Sequence, residues 1–215
     1  MEPAIRPRVV SIKGSGNHRS APLRRSLAVF AGAVWLLLFS AAPSGALPRE
    51  AMIPFSSIKE AVAQMLPSTG NLIRRDIVLD EKHLARLSRF KNWDTEETEF
   101  VIYHSRNAEN KVTGTLILFP EHTRQGTLVV AVALDNHGRV TGARLVEAQE
   151  PTVQWVLPLL RANYLDRFKG ATLALDLALP KEFKGKNFSS ISQTYARRLA
   201  NSVKKTAQMF DAVYK

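Results

Sequence analysis

The sequence contains no cysteine. That excludes disulfides, thiolate-ligated metal, thioether-attached haem and a lipid-modified cysteine, so the protein is held together by packing alone. Metal-ligand spacing is missing as well. Past residue 46 the histidines are His83, His104, His122 and His137, and no two stand at the short separations of a His-based metal site. They read as surface or turn residues. There is no Gly-x-Ser-x-Gly elbow, no Gly-rich phosphate loop followed by Lys, and no dinucleotide fingerprint after a strand, which leaves standalone hydrolase or kinase chemistry without support.

Acidic residues are nearly absent from the first 46 positions, where Glu2 stands alone against Arg6, Arg8, Lys13, Arg19, Arg24 and Arg25. A continuous apolar run follows, Leu27 to Ala42, and then Pro43 and the small residues Ser44, Gly45 and Ala46. This order is that of an export signal cut after Ala46. The run has 16 residues, short of the roughly 20 that a spanning helix needs. An uncleaved segment that associates the chain with the membrane is the alternative. Arg24 and Arg25 before the run fit the twin-arginine route as well as the general secretory one. The expected location is the periplasm or the outer face of the cytoplasmic membrane.

The formal charge of +11 owes much to this segment: removing residues 1–46 leaves 24 basic against 18 acidic residues, or +6. Arg197, Arg198, Lys204 and Lys205 form a modest cluster, read as a solvated helix face rather than a nucleic-acid surface. No nucleic-acid partner is expected. The 169 residues from Leu47 to Lys215 suit one compact domain.

Within that body, Ser57 and Glu60 make a capping box ahead of Ile58, Val62, Met65 and Leu66, a helix that Pro67 ends. A second short helix starts at Asp80 and leads into a polar stretch at residues 93–97. Residues 47–97 are thus expected as an N-terminal helical cap. From residue 99 the period becomes two, and runs at 100–104, 112–119, 127–135 and 139–147 read as an antiparallel meander whose third strand is covered on both faces. Residues 135–138 supply a turn. Gly114 and Gly142 inside strands predict a bulge or a close backbone approach. After Glu150 and Pro151 comes a helical segment broken by Pro158 and running to Phe168. The last helix carries Ile191, Tyr195, Leu199, Val203, Phe210 and Tyr214 near one face. The fold class is α+β: an antiparallel sheet of four to six strands, N-terminal helices, and a long C-terminal helix packed on the sheet.

Several short motifs recur in a definite order along residues 98–215. Asp135, Gly138 and Val140 lie in a strand-turn-strand phrase; Glu150, Pro151 and Thr152 form a turn; Tyr164, Leu165, Arg167, Phe168, Lys169 and Gly170 form a third element; a Ser-rich turn introduces the last helix. In this the chain resembles the FMN-binding domain family, which includes flavin-carrying subunits of ion-pumping redox complexes and small exported flavoproteins. The resemblance implies a redox carrier or binding protein rather than a standalone enzyme. It also implies a redox partner protein or a membrane electron-transport complex. Carried over, the FMN-binding residues are Glu150, Thr152, Phe168, Lys169, Gly170, Ser190, Ser192, Gln193 and Thr194.

The family's Ser-Gly-Ala-Thr before the last helix is altered here. Its place falls to Ser190, Ile191, Ser192 and Gln193, or in the next register to Ser192, Gln193, Thr194 and Tyr195. Neither keeps Gly-Ala-Thr, so covalent flavin is not expected and FMN, if carried, is non-covalent. A flavin-free binding or assembly module of the same fold is the alternative.

Overall fold

The computed structural model describes residues 51–67 and 71–215; the export signal read over residues 1–46 lies outside the described residues. Six strands form one antiparallel sheet: β1 (Met52–Pro54), β2 (Asn71–Val78), β3 (Glu99–Arg106), β4 (Val112–Thr123), β5 (Gly126–Asp135) and β6 (Val140–Gln149). Their spatial order is β1-β6-β5-β4-β3-β2. Strands β2 to β6 form a meander, and β1 closes its far edge against β6. The protein is α+β, as its periodicities predict. The 47–97 segment supplies α1 (Ile58–Met65) and α2 (Glu81–Leu87) and, in addition, both edge strands of the sheet.

Local chemistry explains the helix starts. Ser57 Oγ accepts from the amide of Glu60 at 3.1 Å, satisfying one of the donors that a helix start leaves free. Glu60 does not complete the box; its carboxylate takes Gln64 Nε2 at 3.0 Å. At α2 the exchange is reciprocal: Asp80 Oδ1 accepts from His83 N, and His83 Nδ1 accepts from Asp80 N. The third helix, α3 (Glu150–Arg161), runs through Pro158 instead of breaking there. A proline forfeits one backbone hydrogen bond, and burial of Val156 and Leu159 on either side holds the helix for one further turn. A 3-10 turn, Tyr164–Phe168, follows.

Both faces of the sheet are used. On one, Phe100, Ile102, Ile117, Phe119, Val130, Val132, Leu134 and Leu145 meet α3, the 3-10 turn and α4 (Ser190–Tyr214). On the other, Leu116, Leu118, Ala131, Ala133 and Val146 meet Ala61, Val62 and Leu66 from α1. Strand β5 is therefore covered twice, which accounts for its unbroken apolar run. Gly114 lets α1 close down: a Cβ there would sit 3.0 Å from Pro67 Cδ and 3.2 Å from Leu66 Cδ2. Register shifts fall beside Gly114, between Ser105 and Arg106, and beside Gly142, between Ala133 and Leu134, so both glycines mark irregularities.

Helix α4 is a core element. Fourteen of its 25 residues are buried, more than one apolar stripe supplies, because α2 and the strap of chain between α2 and β3 cross its outer side. Asn92 Nδ2 donates to Asn201 and Gln208 at 3.0 Å each, Trp93 meets Phe119 edge-on, and Arg86 donates to the Ala212 carbonyl at 3.0 Å. At the two ends the helix is open, with Ile191 and Tyr214 about 40 % exposed.

Candidate functional site

The motif residues fall in two places. Glu150 and Thr152 begin α3 at the C-terminal end of β6, and the start of α4 lies at the same end of the sheet: Trp155 stacks on Tyr195 with ring centroids 5.7 Å apart. Tyr195 also reaches the β4–β5 hairpin, its hydroxyl 3.1 Å from Thr123 Oγ1. Phe168, Lys169 and Gly170 belong to the opposite end. Gly170 N donates to the Val140 carbonyl at 2.7 Å, and Val140 N to that of Ala171. Strand β6, 10 residues long, sets Gly170 roughly 30 Å from Glu150 at the usual strand rise. The rings of Phe168, Tyr164, Phe183 and Phe188 nevertheless run in contact from the Phe168–Gly170 group to the Phe188 carbonyl that takes Gln193 Nε2. The Asp135–Val140 phrase and the Phe168–Gly170 phrase are thus neighbours, while Glu150, Thr152 and Ser190–Thr194 form a second group.

The second group is closed on itself. Ser189 is the N-cap of α4, accepting from Ser192 N at 3.0 Å, and its own hydroxyl donates to Ser192 Oγ at 2.9 Å. Ser192 is 3 % exposed. Gln193 Nε2 donates to the Phe188 carbonyl at 3.0 Å, and Thr194 Oγ1 to that of Ser190 at 3.0 Å. Thr152 is fully buried, donating to the Gln149 carbonyl at 2.7 Å. Phe168 is a core residue and Glu150 an exposed one. An FMN phosphate needs free amides and hydroxyls at a helix start; here the side chains of Ser189, Ser192, Gln193 and Thr194 are engaged with their own neighbours, and Ser190 is exposed.

The most strongly coupled polar cluster lies elsewhere, between α4, the middle of the sheet and the strap. Glu121 on β4 is 3 % exposed and Lys205 on α4 is 2 % exposed. Lys205 Nζ is hydrogen-bonded to Asp94 of the strap and lies 3.7 Å from Glu121 Oε2. Arg198 Nη1 is 3.3 Å from Glu121 and 3.6 Å from Asp94. Ser202 Oγ donates to Glu121 Oε2 at 3.0 Å, and the Lys205 ammonium stands 5.7 Å from the centre of the Phe119 ring. Burial pushes the Asp94 carboxyl up, but the Lys205 hydrogen bond and the charges of Lys205 and Arg198 outweigh it and hold the group low. A cavity of about 310 Å³ opens over this network, lined also by Thr95, Glu96, Pro120 and His122.

Lys205 corrects the reading of Arg197, Arg198, Lys204 and Lys205 as one solvated face. Arg197 is exposed, Arg198 pairs with two carboxylates, Lys204 Nζ donates to the Leu175 carbonyl at 2.7 Å, and Lys205 is buried. The signal was present in the spacing: Arg198, Ser202 and Lys205 recur at helical intervals next to the apolar stripe. Glu121 carried no such sign, since its partners lie far along the chain.

His104 is a second correction, being 2 % exposed rather than a surface residue. Its Nδ1 lies 3.1 Å from Thr115 Oγ1 and its Nε2 2.9 Å from Tyr214 Oη. Burial, reinforced by Arg75 and Arg106, lowers the ring to about 4. Burial also pushes the Tyr214 phenol up to about 12, against the pull of Arg75. A neutral imidazole accepting from Tyr214 and donating to Thr115 satisfies both contacts. Nearby, at the turn before β6, a cavity of about 410 Å³ is lined by Gly138, Arg139, Thr172, Phe210 and Lys215.

Neither of these two cavities is lined by the motif residues at the α4 start. Among the described residues, no group of three or more His, Asp or Glu side chains could hold a metal ion. No described helix is long and apolar enough to cross a membrane. Comparison with known proteins finds no matching family model, no matching curated protein and no matching solved structure.

Proposed function

We propose that the chain is an exported protein whose domain has the architecture expected of the FMN-binding family and serves, without flavin, as a binding or assembly module of a membrane redox complex. One observation carries this reading. At the start of α4, where the family pattern calls for Gly-Ala-Thr open to the cofactor, Ser189, Ser192, Gln193 and Thr194 are bonded to each other or to adjacent carbonyls. Export rests on the ordered basic, apolar and small-residue segments of residues 1–46.

The competing reading is an exported electron-transfer protein in which the same residues hold FMN non-covalently and the flavin supplies the redox chemistry. It is favoured by the adjacency of Val140 to Gly170 and Ala171, which brings two of the resembling motifs together.

FMN titration decides between them. The purified protein is incubated with FMN while flavin fluorescence and the visible spectrum are followed. No quenching and no flavin absorbance after desalting is the expected result. Saturable quenching at one FMN per chain would overturn the flavin-free reading and establish the electron-transfer one.

A further inference from the structure

The two edges of the sheet are unlike. Strand β1 is three residues long and ends in Pro54, both of which blunt an edge against further pairing. Strand β2 has eight residues, Asn71 to Val78, no proline, and an uninterrupted register with β3 from Asn71–Arg106 to Val78–Glu99. No described strand pairs with its outer side. Leu72 is 52 % exposed and Val78 63 %. A long, straight, partly apolar edge of this kind is a template for another strand.

We propose that β2 is a self-pairing edge, at which a second copy of this chain adds its own β2 antiparallel about a two-fold axis through Arg75, continuing the sheet across the dimer. The occupant is identified by the pattern of the strand. With Arg75 on the axis, Leu72 lies opposite Val78 of the second copy, Ile73 opposite its Ile77, and Arg74 opposite its Asp76. Each of these pairs occurs twice. Directly opposed residues on antiparallel strands share a face and interact, favourably for apolar pairs and for opposite charges.

No neighbouring register does this. A slip of one residue in either direction is incompatible with the two-fold axis, because directly opposed residues share a face and such a slip would set residues of opposite faces against one another. A slip of two sets Arg74 against itself and Leu72 against Asp76, or Asp76 against itself and Arg74 against Val78. In the free chain Arg74 Nη2 lies 3.1 Å from Asp76 Oδ1 of the same strand, and both side chains are well exposed, so they can exchange partners without unfolding anything. The like-charge contact of the favoured register is Arg75 with its own copy, an exposed residue with a long side chain.

On the face that Leu72 and Val78 share, Tyr103 and Val101 of β3 lie opposite Arg74 and Asp76 and pack toward α1. This inference is independent of whether the domain carries flavin.

The test is sedimentation velocity on the purified protein over a wide concentration range, with three forms. The unaltered chain is expected to show a concentration-dependent dimer. Arg74→Asp places acid opposite Asp76 at both symmetric positions and is expected to raise the dimer dissociation constant about tenfold or more. The double variant Arg74→Asp/Asp76→Arg restores opposite charges in the same register and is expected to restore the dimer. Circular dichroism checks that each form is folded. A monomer at every concentration would overturn the proposal, as would a dimer indifferent to the single reversal or one that the double reversal fails to rescue.

Discussion

His104 Nε2 lies 2.9 Å from Tyr214 Oη, so a ring on β3 holds the last turn of α4 against the sheet through one hydrogen bond. The imidazole is neutral there, its titration lowered by burial to about 4. An unfolded chain binds the proton near 6.5. The stability linked to this residue is therefore complete above about pH 6.5 and is lost as the pH falls toward 4, because the unfolded state takes up the proton first. The full difference corresponds to about 3 kcal/mol. Urea unfolding followed from pH 7 to 4 should show this loss in the unaltered protein and not in His104→Gln. Equal pH dependence in both would mean that other groups set the acid limit.

Glu121 and Lys205 are each almost wholly buried and face one another within a four-charge network. Removing one member of such a network leaves its partner buried without compensation, which costs about 3–5 kcal/mol. Glu121→Ala should therefore destabilise by that amount in denaturant titration. Asp94, with its side chain 56 % exposed, should cost about 1 kcal/mol when replaced by Ala, given solvent screening. A Glu121→Leu/Lys205→Met double replacement should recover most of the single loss. If it does not, the network contributes more than mutual neutralisation.

Gly138 and Gly170 both have positive φ, +79° and +82°, and differ in surroundings. A Cβ at Gly138 would stand 3.0 Å from Phe210 Cδ1, whereas none of the surrounding atoms comes within 4 Å at Gly170. Gly170→Ala should cost about 1–2 kcal/mol, the backbone penalty alone. Gly138→Ala should cost more, because the Phe210 ring must also shift. Equal melting temperatures for the two variants would show that the ring moves without resistance.

Ser189 caps α4 through Ser192 N. Ser189→Ala removes that bond and exposes the hydroxyl of Ser192 to a lost partner, with an expected cost of about 1 kcal/mol. The same variant tests the functional reading from another side. If a sealed helix start is what excludes flavin, unsealing it should bring some quenching of added FMN; none would place the obstacle in Ile191 and the absent Gly-Ala-Thr.

Export processing is read from the mature N-terminus. Mass spectrometry of protein recovered from an exporting host should find a chain beginning at Leu47, and a mass that retains residues 1–46 would favour the uncleaved, membrane-associated form.

Helix starts at Ser57 and Asp80, the meander β3–β6 and the length of α4 were all legible in the sequence because each depends on its own residues. A hydroxyl or carboxylate before a helix bonds its first amides, and a period of two or 3.6 follows from backbone geometry whatever lies opposite. Strand β2 escaped for a reason of the same kind: Arg74, Arg75 and Asp76 interrupt its alternation, and only pairing along Ile73–His104 and Ile77–Phe100 makes it a strand. Pro158 misled because burial of its neighbours compensates a local penalty.

The sequence alone determined the repertoire of elements and the order in which they come. What only tertiary structure decided is which charges leave water. Lys205 looks like its neighbours Arg198 and Lys204 until the strap carries Asp94 over it and β4 brings Glu121 beneath. His104 looks like a surface residue until Tyr214, 110 residues away, closes on it. Burial of a polar side chain is set by whatever element arrives from elsewhere in the chain, and local periodicity holds no record of that arrival.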